Sequence, residues 1–216
     1  MSDPLKVTFL GKSGVGKTSI FSLICGAQTP PVGPTIGVEF ATVFVPEFTM
    51  RIQIWDTAGM ERFAPVTNVC LRNTAAIVLV YAVNDTSSFD ELATRWLPFI
   101  ERERRLNRNT ALKPNPLIFV VGNKNDLTGG AHLTSCEMES AWARTIDAIH
   151  VTTTTTSTTS ISDFFAIVCR ELSSTNQRQL RPTQFASENL TLSVLDDFTR
   201  LRLEEKEERK KKSSCC

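Results

Sequence analysis

Long apolar runs are what this chain most lacks. The longest, "AAIVLVYAV" at 75–83, is less than half the ~20 residues a membrane helix needs, and it reads as a buried strand. The opening "MSDPLKVTFLGKSGVGK" has no apolar stretch of secretory type, so no cleaved leader is expected. A basic excess is also missing. Lys and Arg number 24 against 23 Asp and Glu, and a net charge of +1 excludes a general nucleic-acid binder. Cysteines form no paired framework: Cys25, Cys70, Cys136 and Cys169 are scattered among core-like residues, as expected of reduced thiols in a cytosolic compartment. No internal repeat stands out. What is present suffices for a core, since 41% of 216 residues are hydrophobic, enough for one domain plus an appendage.

Strand-like and helix-like stretches alternate. "LKVTFLG" (5–11) reads as a strand and "KTSIFSLIC" (17–25) as a helix; "EFATVFVPE" (39–47) and "MRIQIWD" (50–56) alternate in and out like a hairpin. "SSFDELATRWLPFIERER" (87–104) has helical spacing, "PLIFVVGN" (116–123) is a continuous apolar strand, and "SCEMESAWARTIDAI" (135–149) and "SISDFFAIVCREL" (160–172) read as helices. The start of the threonine run "VTTTTTSTTSIS" (151–162) favours extended backbone. Strands separated by helices imply parallel crossovers and a doubly wound α/β domain over 1–172, with helices on both faces of the sheet. Residues 173–216 form an expected tail: a polar linker, then an amphipathic spacing at Val194, Leu195, Phe198 and Leu201, then "RKKKSSCC".

"GKSGVGKT" (11–18) fits G-x-x-x-x-G-K-[ST]. Such a turn lets consecutive N–H groups of Ser13, Gly14, Val15 and Gly16 point inward at a phosphate. Lys17 brings charge to the β- and γ-phosphates, the Thr18 hydroxyl suits Mg²⁺, and Ser19 continues into a helix whose positive end faces the same anion. A plain glycine turn would show the same letters, but here strand, loop and helix follow in the required order. "NKND" (123–126) supplies the base. The Asp126 carboxylate can accept from guanine N1–H and its 2-amino group, which adenine lacks, so a desolvated Asp126 rejects adenine. Asn123 can tether the loop and the Lys124 stem can lie on the base. Asp56, at a strand end, suits Mg²⁺ held through water together with Thr18. Thr35 adds a hydroxyl if its loop folds inward, and Gly59 brings an N–H to the γ-phosphate. Two loops closing on one phosphate make a two-state device. A P-loop kinase or ATPase needs an acceptor site or lid, and neither is evident.

Together "GKSGVGKTS", "TIGVEF", "WDTAGMERF", "VYAVNDTSSFDEL" and "VGNKNDL" resemble the motifs of the small GTPases, specifically the Rab family of membrane-traffic switches, over about 5–172. The resemblance implies a six-stranded, mostly parallel sheet, GTP/GDP switching with Mg²⁺, and partners of stated kinds. These are effectors, an exchange factor, a GTPase-activating protein, a prenylation escort and a GDP-dissociation inhibitor. It also implies residence on the cytosolic face of intracellular membranes. The family's "SAK" guanine loop falls on Thr154, Thr155 and Thr156, and its effector patch falls on Phe40, Trp55 and Cys70, the last replacing an aromatic ring. The family's catalytic glutamine falls on Met60. A thioether is a weak acceptor and donates nothing, so slow intrinsic hydrolysis is expected, with a largely GTP-locked binding scaffold as the alternative. "GAQTPPVGP" (26–34) lacks the ring the family lays against guanine; Val32 could take its place. The final Cys215–Cys216 pair is not C-a-a-X, and in this family such an ending carries two geranylgeranyl chains. Two chains anchor durably, and Arg209 to Lys212 add attraction to anionic lipid.

Overall fold

A computed structural model describes residues 3–27, 33, 35, 37–58, 70–106, 116–128 and 136–179. Six strands form one sheet: β1 (Leu5–Leu10), β2 (Val38–Val45), β3 (Met50–Thr57), β4 (Thr74–Ala82), β5 (Leu117–Asn123) and β6 (Ala148–Thr152), in the order β2-β3-β1-β4-β5-β6. β2 and β3 are antiparallel, with Phe40 opposite Trp55; β1–β3, β1–β4, β4–β5 and β5–β6 are parallel. The sheet is therefore mostly parallel, as expected. The interior strands follow from composition: every residue of β4 is buried, as a strand covered on both faces requires.

Alternate residues feed two separate cores. Val78, Val80, Phe119 and Val121 face a layer with Ile20 and Phe21 of helix α1 (Lys17–Ile24) and with Ile161, Phe164 and Val168 of helix α5 (Thr158–Gln179). Ile77, Leu79, Tyr81 and Val120 face the other layer. There helix α2 (Thr86–Glu91) contributes Phe89, helix α3 (Leu97–Leu106) Ile100, and helix α4 (Cys136–Thr145) Trp142. Fully burying one such large apolar side chain stabilises by about 1.5–3 kcal/mol. Because the parallel strands share a direction, the segments after β1, β3, β4, β5 and β6 gather at one edge. That edge, beyond the carboxyl ends of the strands, is where open α/β sheets bind ligands.

Three details differ from the sequence expectation. The helix expected over 87–104 is interrupted by a π-helical turn, Leu92–Trp96, joining α2 to α3; there Arg95 sits 4.7 Å over the Trp96 ring. The helix expected through Ile149 ends at Thr145. Asp147 takes a left-handed φ of 52°, which no helix continues through, and β6 begins at Ala148. The last helix continues to Gln179, past the expected linker boundary at 172, because Gln and Arg propagate a helix already nucleated by the buried face of Phe164, Val168 and Leu172. Among the described residues no helix is long and apolar enough to cross a membrane. The tail beyond Gln179, with its amphipathic spacing and Cys215 and Cys216, lies outside the described residues.

Candidate functional site

The loop between β1 and α1 has the build of an anion site. Gly16 caps α1 with a left-handed φ of 101°, no side chain caps the helix, and no acidic residue lies in its first turn. The helix's positive end is thus left open toward the loop. Gly16 has no room for a larger residue, since a Cβ would lie 2.1 Å from Asn123 Nδ2. Ser13 and Gly14 are exposed, Val15 is buried and Ser19 is half-buried. Lys17 is buried, and its Nζ donates to the carbonyls of Gly11 and Lys12, each at 3.0 Å. Burial pushes the ammonium down to about 8, although the Asp56 charge pulls it up. A buried cation held at this disadvantage gains from an arriving phosphate.

Beside it, Asp56 collects two hydroxyls. Asp56 is fully buried, and its Oδ2 accepts from Thr18 Oγ1 at 2.6 Å and from Thr35 Oγ1 at 3.3 Å; the two hydroxyls also touch each other. Asp56 Oδ1 is buried without a hydrogen-bond partner among the described residues. Desolvation raises the Asp56 carboxyl above its ordinary value, against the hydrogen bonds of Thr18 and Thr35 and the charge of Lys17. One carboxylate with an open oxygen and two hydroxyls is a hard-oxygen set that fits Mg²⁺. Among the described residues no group of three His, Cys, Asp or Glu gathers, so soft-metal chemistry has no such site there. Thr35 does fold inward, on a chain continued by the Ala58 N–H to Gly37 carbonyl bond of 3.0 Å.

The base-side residues converge from two strands. Asn123, fully buried at the end of β5, donates from Nδ2 to the Val15 carbonyl at 2.9 Å and accepts from Thr153 Oγ1 at 3.3 Å. The tether expected of Asn123 therefore runs to the phosphate loop itself. Lys124 is half-buried with φ 65°, which turns the chain so that Asp126 is exposed toward solvent, not desolvated by the protein alone. Thr154 Oγ1 donates to the Asp126 carboxylate. The Thr154 N–H is held by Ser160 Oγ at 3.2 Å and the Thr156 N–H by Thr154 Oγ1 at 3.2 Å. No such bond takes the Thr155 N–H among the described residues, which sets it apart from Thr154 and Thr156.

Phe40 is 57% exposed and stacks on Trp55 with ring centroids 5.1 Å apart, while Lys6 Nζ lies 3.8 Å over the Trp55 ring. Phe40 is exposed and Trp55 half-buried, and neither belongs to the core. Cys70 differs from the expectation: it is 1% exposed, its own carbonyl accepts from Thr8 and Thr74 Oγ1, and it adds no exposed surface beside Phe40 and Trp55. Gly59, Met60 and Val32 lie outside the described residues.

Two contributors escape motif reading. Thr153 orients Asn123, though a threonine among many carries no distinguishing signal. Lys12 pairs with Asp85 at 3.1 Å and donates to Ser87 Oγ, while Asp85 caps α2 by accepting from the Ser87 and Ser88 N–H groups. The capping pattern "NDTSS" after a strand was the available signal.

The Ras family model matches residues 6–174 of the chain. "Ras-related protein RABA1c" of Arabidopsis thaliana is 34% identical over 172 residues, covering 77% of this chain and 74% of that protein.

Proposed function

The chain belongs to the Ras family of small GTPases, in its Rab branch, and from that membership and the site we propose a GTP/GDP-switched regulator of vesicular membrane traffic with slow intrinsic hydrolysis. The observation that carries this reading is the meeting of Thr18, Thr35 and Asp56 beside Lys17. Those groups come from the phosphate loop, the loop before β2 and the end of β3, so a ligand that draws them together couples three segments.

In this reading the N–H groups of Ser13 to Thr18 bind the β-phosphate and Lys17 bridges β and γ. Thr18, Thr35 and Asp56 hold Mg²⁺, which when bound neutralises charge on the phosphate oxygens. Asn123 fixes the base loop, the Lys124 stem covers the base, Asp126 accepts from guanine N1–H and the 2-amino group, and the Thr155 N–H donates to the guanine oxygen. Gly59 senses the γ-phosphate by its N–H. Thr35 and Gly59 release when that phosphate leaves, and effectors read the difference at Phe40 and Trp55. Met60 cannot orient an attacking water, so intrinsic turnover is slow and a GTPase-activating protein is the partner that would raise it. An exchange factor reloads the site. Geranylgeranyl groups on Cys215 and Cys216 hold the protein on the cytosolic face of intracellular membranes, with an escort and a GDP-dissociation inhibitor handling the lipids.

The test is the nucleotide found on purified protein together with its single-turnover hydrolysis rate on the same preparation. Bound GDP with slow, measurable turnover supports the switch. Bound GTP with no turnover supports a GTP-locked scaffold in its place. Absence of guanine nucleotide binding overturns both.

A further inference from the structure

Beneath the base-binding end lies a buried polar cluster that phosphate and metal chemistry leave unused. Tyr81, near the end of β4, is fully buried, and its Oη is 2.9 Å from His150 Nε2 on β6. His150 Nδ1 is 2.8 Å from Ser140 Oγ on α4. Glu139, also on α4 and fully buried, has its Oε2 3.7 Å from His150 Nε2, and its charge acts on the Tyr81 phenol. These groups sit in an otherwise apolar layer: the Phe89 ring meets Tyr81 edge-on at 4.9 Å and Trp142 at 5.2 Å. Apolar residues of the same shape would fill this layer with less desolvation, so the polar set points to a task beyond stability.

Burial and the Glu139 carboxylate push the Tyr81 phenol far above its ordinary range, so it keeps its hydrogen. The imidazole bridges two hydroxyls, with Nε2 bonded to the Tyr81 phenol and Nδ1 to Ser140 Oγ. Burial pushes the imidazole down to about 4, which keeps it neutral at physiological pH.

What the phenol presses on is Gly122. A Cβ there would lie 2.5 Å from Tyr81 Oη and 2.8 Å from its Cζ. Gly122 precedes Asn123, and its carbonyl accepts the Thr153 N–H at 2.7 Å, while the Asn123 carbonyl accepts the Val83 N–H at 2.9 Å. His150 itself lies on the strand that leads to Thr153 and the threonine loop. The cluster thus joins β4, β5, β6 and α4 directly under both loops that face the base.

We propose that Tyr81, His150 and Glu139 are positioning residues for base recognition: the phenol, held against Gly122 by its two polar neighbours, sets the level at which Asn123, Asp126 and Thr155 meet guanine. This rests on the guanine-nucleotide reading above. The experiment measures release of GDP and of inosine diphosphate, which lacks the 2-amino group, from the full chain. Wild type is compared with His150→Phe, Tyr81→Phe and the double variant. Each single change is expected to speed GDP release about fivefold to tenfold. It should speed inosine diphosphate release less, so that the two rates approach each other, and the double variant should be no faster than the quicker single one. Equal acceleration of both nucleotides, multiplying effects or unchanged rates overturn the proposal. Should the ring variants fail to fold, Ser140→Ala, which trims one hydrogen bond at the edge of the cluster, is expected to narrow the same ratio; an unchanged ratio overturns the proposal. A wild-type chain retaining neither nucleotide overturns the guanine reading itself, and the inference with it.

Discussion

Asn123 Nδ2 donates to the Val15 carbonyl at 2.9 Å across 108 residues of sequence, so the end of β5 and the loop between β1 and α1 are one hydrogen-bonded unit. The bond is buried, and the Gly16 backbone approaches the same amide so closely that no other residue fits. Removing the amide leaves the Val15 carbonyl buried and unpaired, at a cost of about 1–3 kcal/mol. Asn123→Ala is therefore expected to speed GDP dissociation on the order of 10- to 100-fold. Stopped-flow displacement of a fluorescent GDP analogue checks this, and Gly16→Ala, which also strains a left-handed φ, should be at least as severe.

Asp56 is buried as a carboxylate against its own preference. Its folded pKa lies above the unfolded one, so ionised Asp56 opposes folding of the nucleotide-free chain above that pKa, and the opposition fades as pH falls. Asp56→Asn should then raise the melting temperature of nucleotide-free protein at pH 7. The same change should abolish the effect of Mg²⁺ on GDP release, with affinity in Mg²⁺ falling roughly 10- to 100-fold. Thermal melts with and without EDTA separate the two effects. A variant that is destabilised and still Mg²⁺-responsive contradicts the assignment.

Lys17 gives a pH signature. Burial holds its pKa at about 8 against an ordinary 10.5, so folding of the nucleotide-free chain gains stability as pH rises between these values. Phosphate binding needs the ammonium. Nucleotide binding should therefore take up a proton above pH 8, with affinity falling about tenfold per pH unit there. Calorimetry in buffers of different ionisation enthalpy measures the uptake, and Lys17→Met should lose both the uptake and the affinity.

In the proposed reading Met60 takes the place of an amide that would orient water. Met60→Gln is expected to raise single-turnover GTP hydrolysis at least tenfold, with little change in nucleotide affinity. A wild-type rate equal to that of the variant would show the thioether to be inconsequential.

Much of this was legible in the residues. Five of the six strands follow from apolar runs and alternation, and Lys17, Thr18, Asp56 and Asn123 were recognisable because each residue type at its spacing answers one chemical need. What stayed hidden was set by tertiary contact. Asp147 ends α4 through a left-handed φ that no periodicity reveals, so β6 looked helical. Cys70 matched a surface position by alignment, yet the packing buries it. The His150, Glu139 and Tyr81 side chains are far apart in sequence and individually unremarkable; only the sheet order and α4 bring them together.

In the proposed switch Thr18, Thr35 and Asp56 enclose Mg²⁺ on a guanine nucleotide whose last phosphate governs two loops. Isothermal titration of nucleotide-free protein with GDP, GTP and their adenosine counterparts, with Mg²⁺ and with EDTA, tests it most directly. The expected result is tight guanine binding that weakens on Mg²⁺ removal and an adenosine affinity lower by at least ~1,000-fold, given the unpaired Asp126 contacts. Equal affinity for guanosine and adenosine nucleotides, or binding indifferent to Mg²⁺, contradicts it.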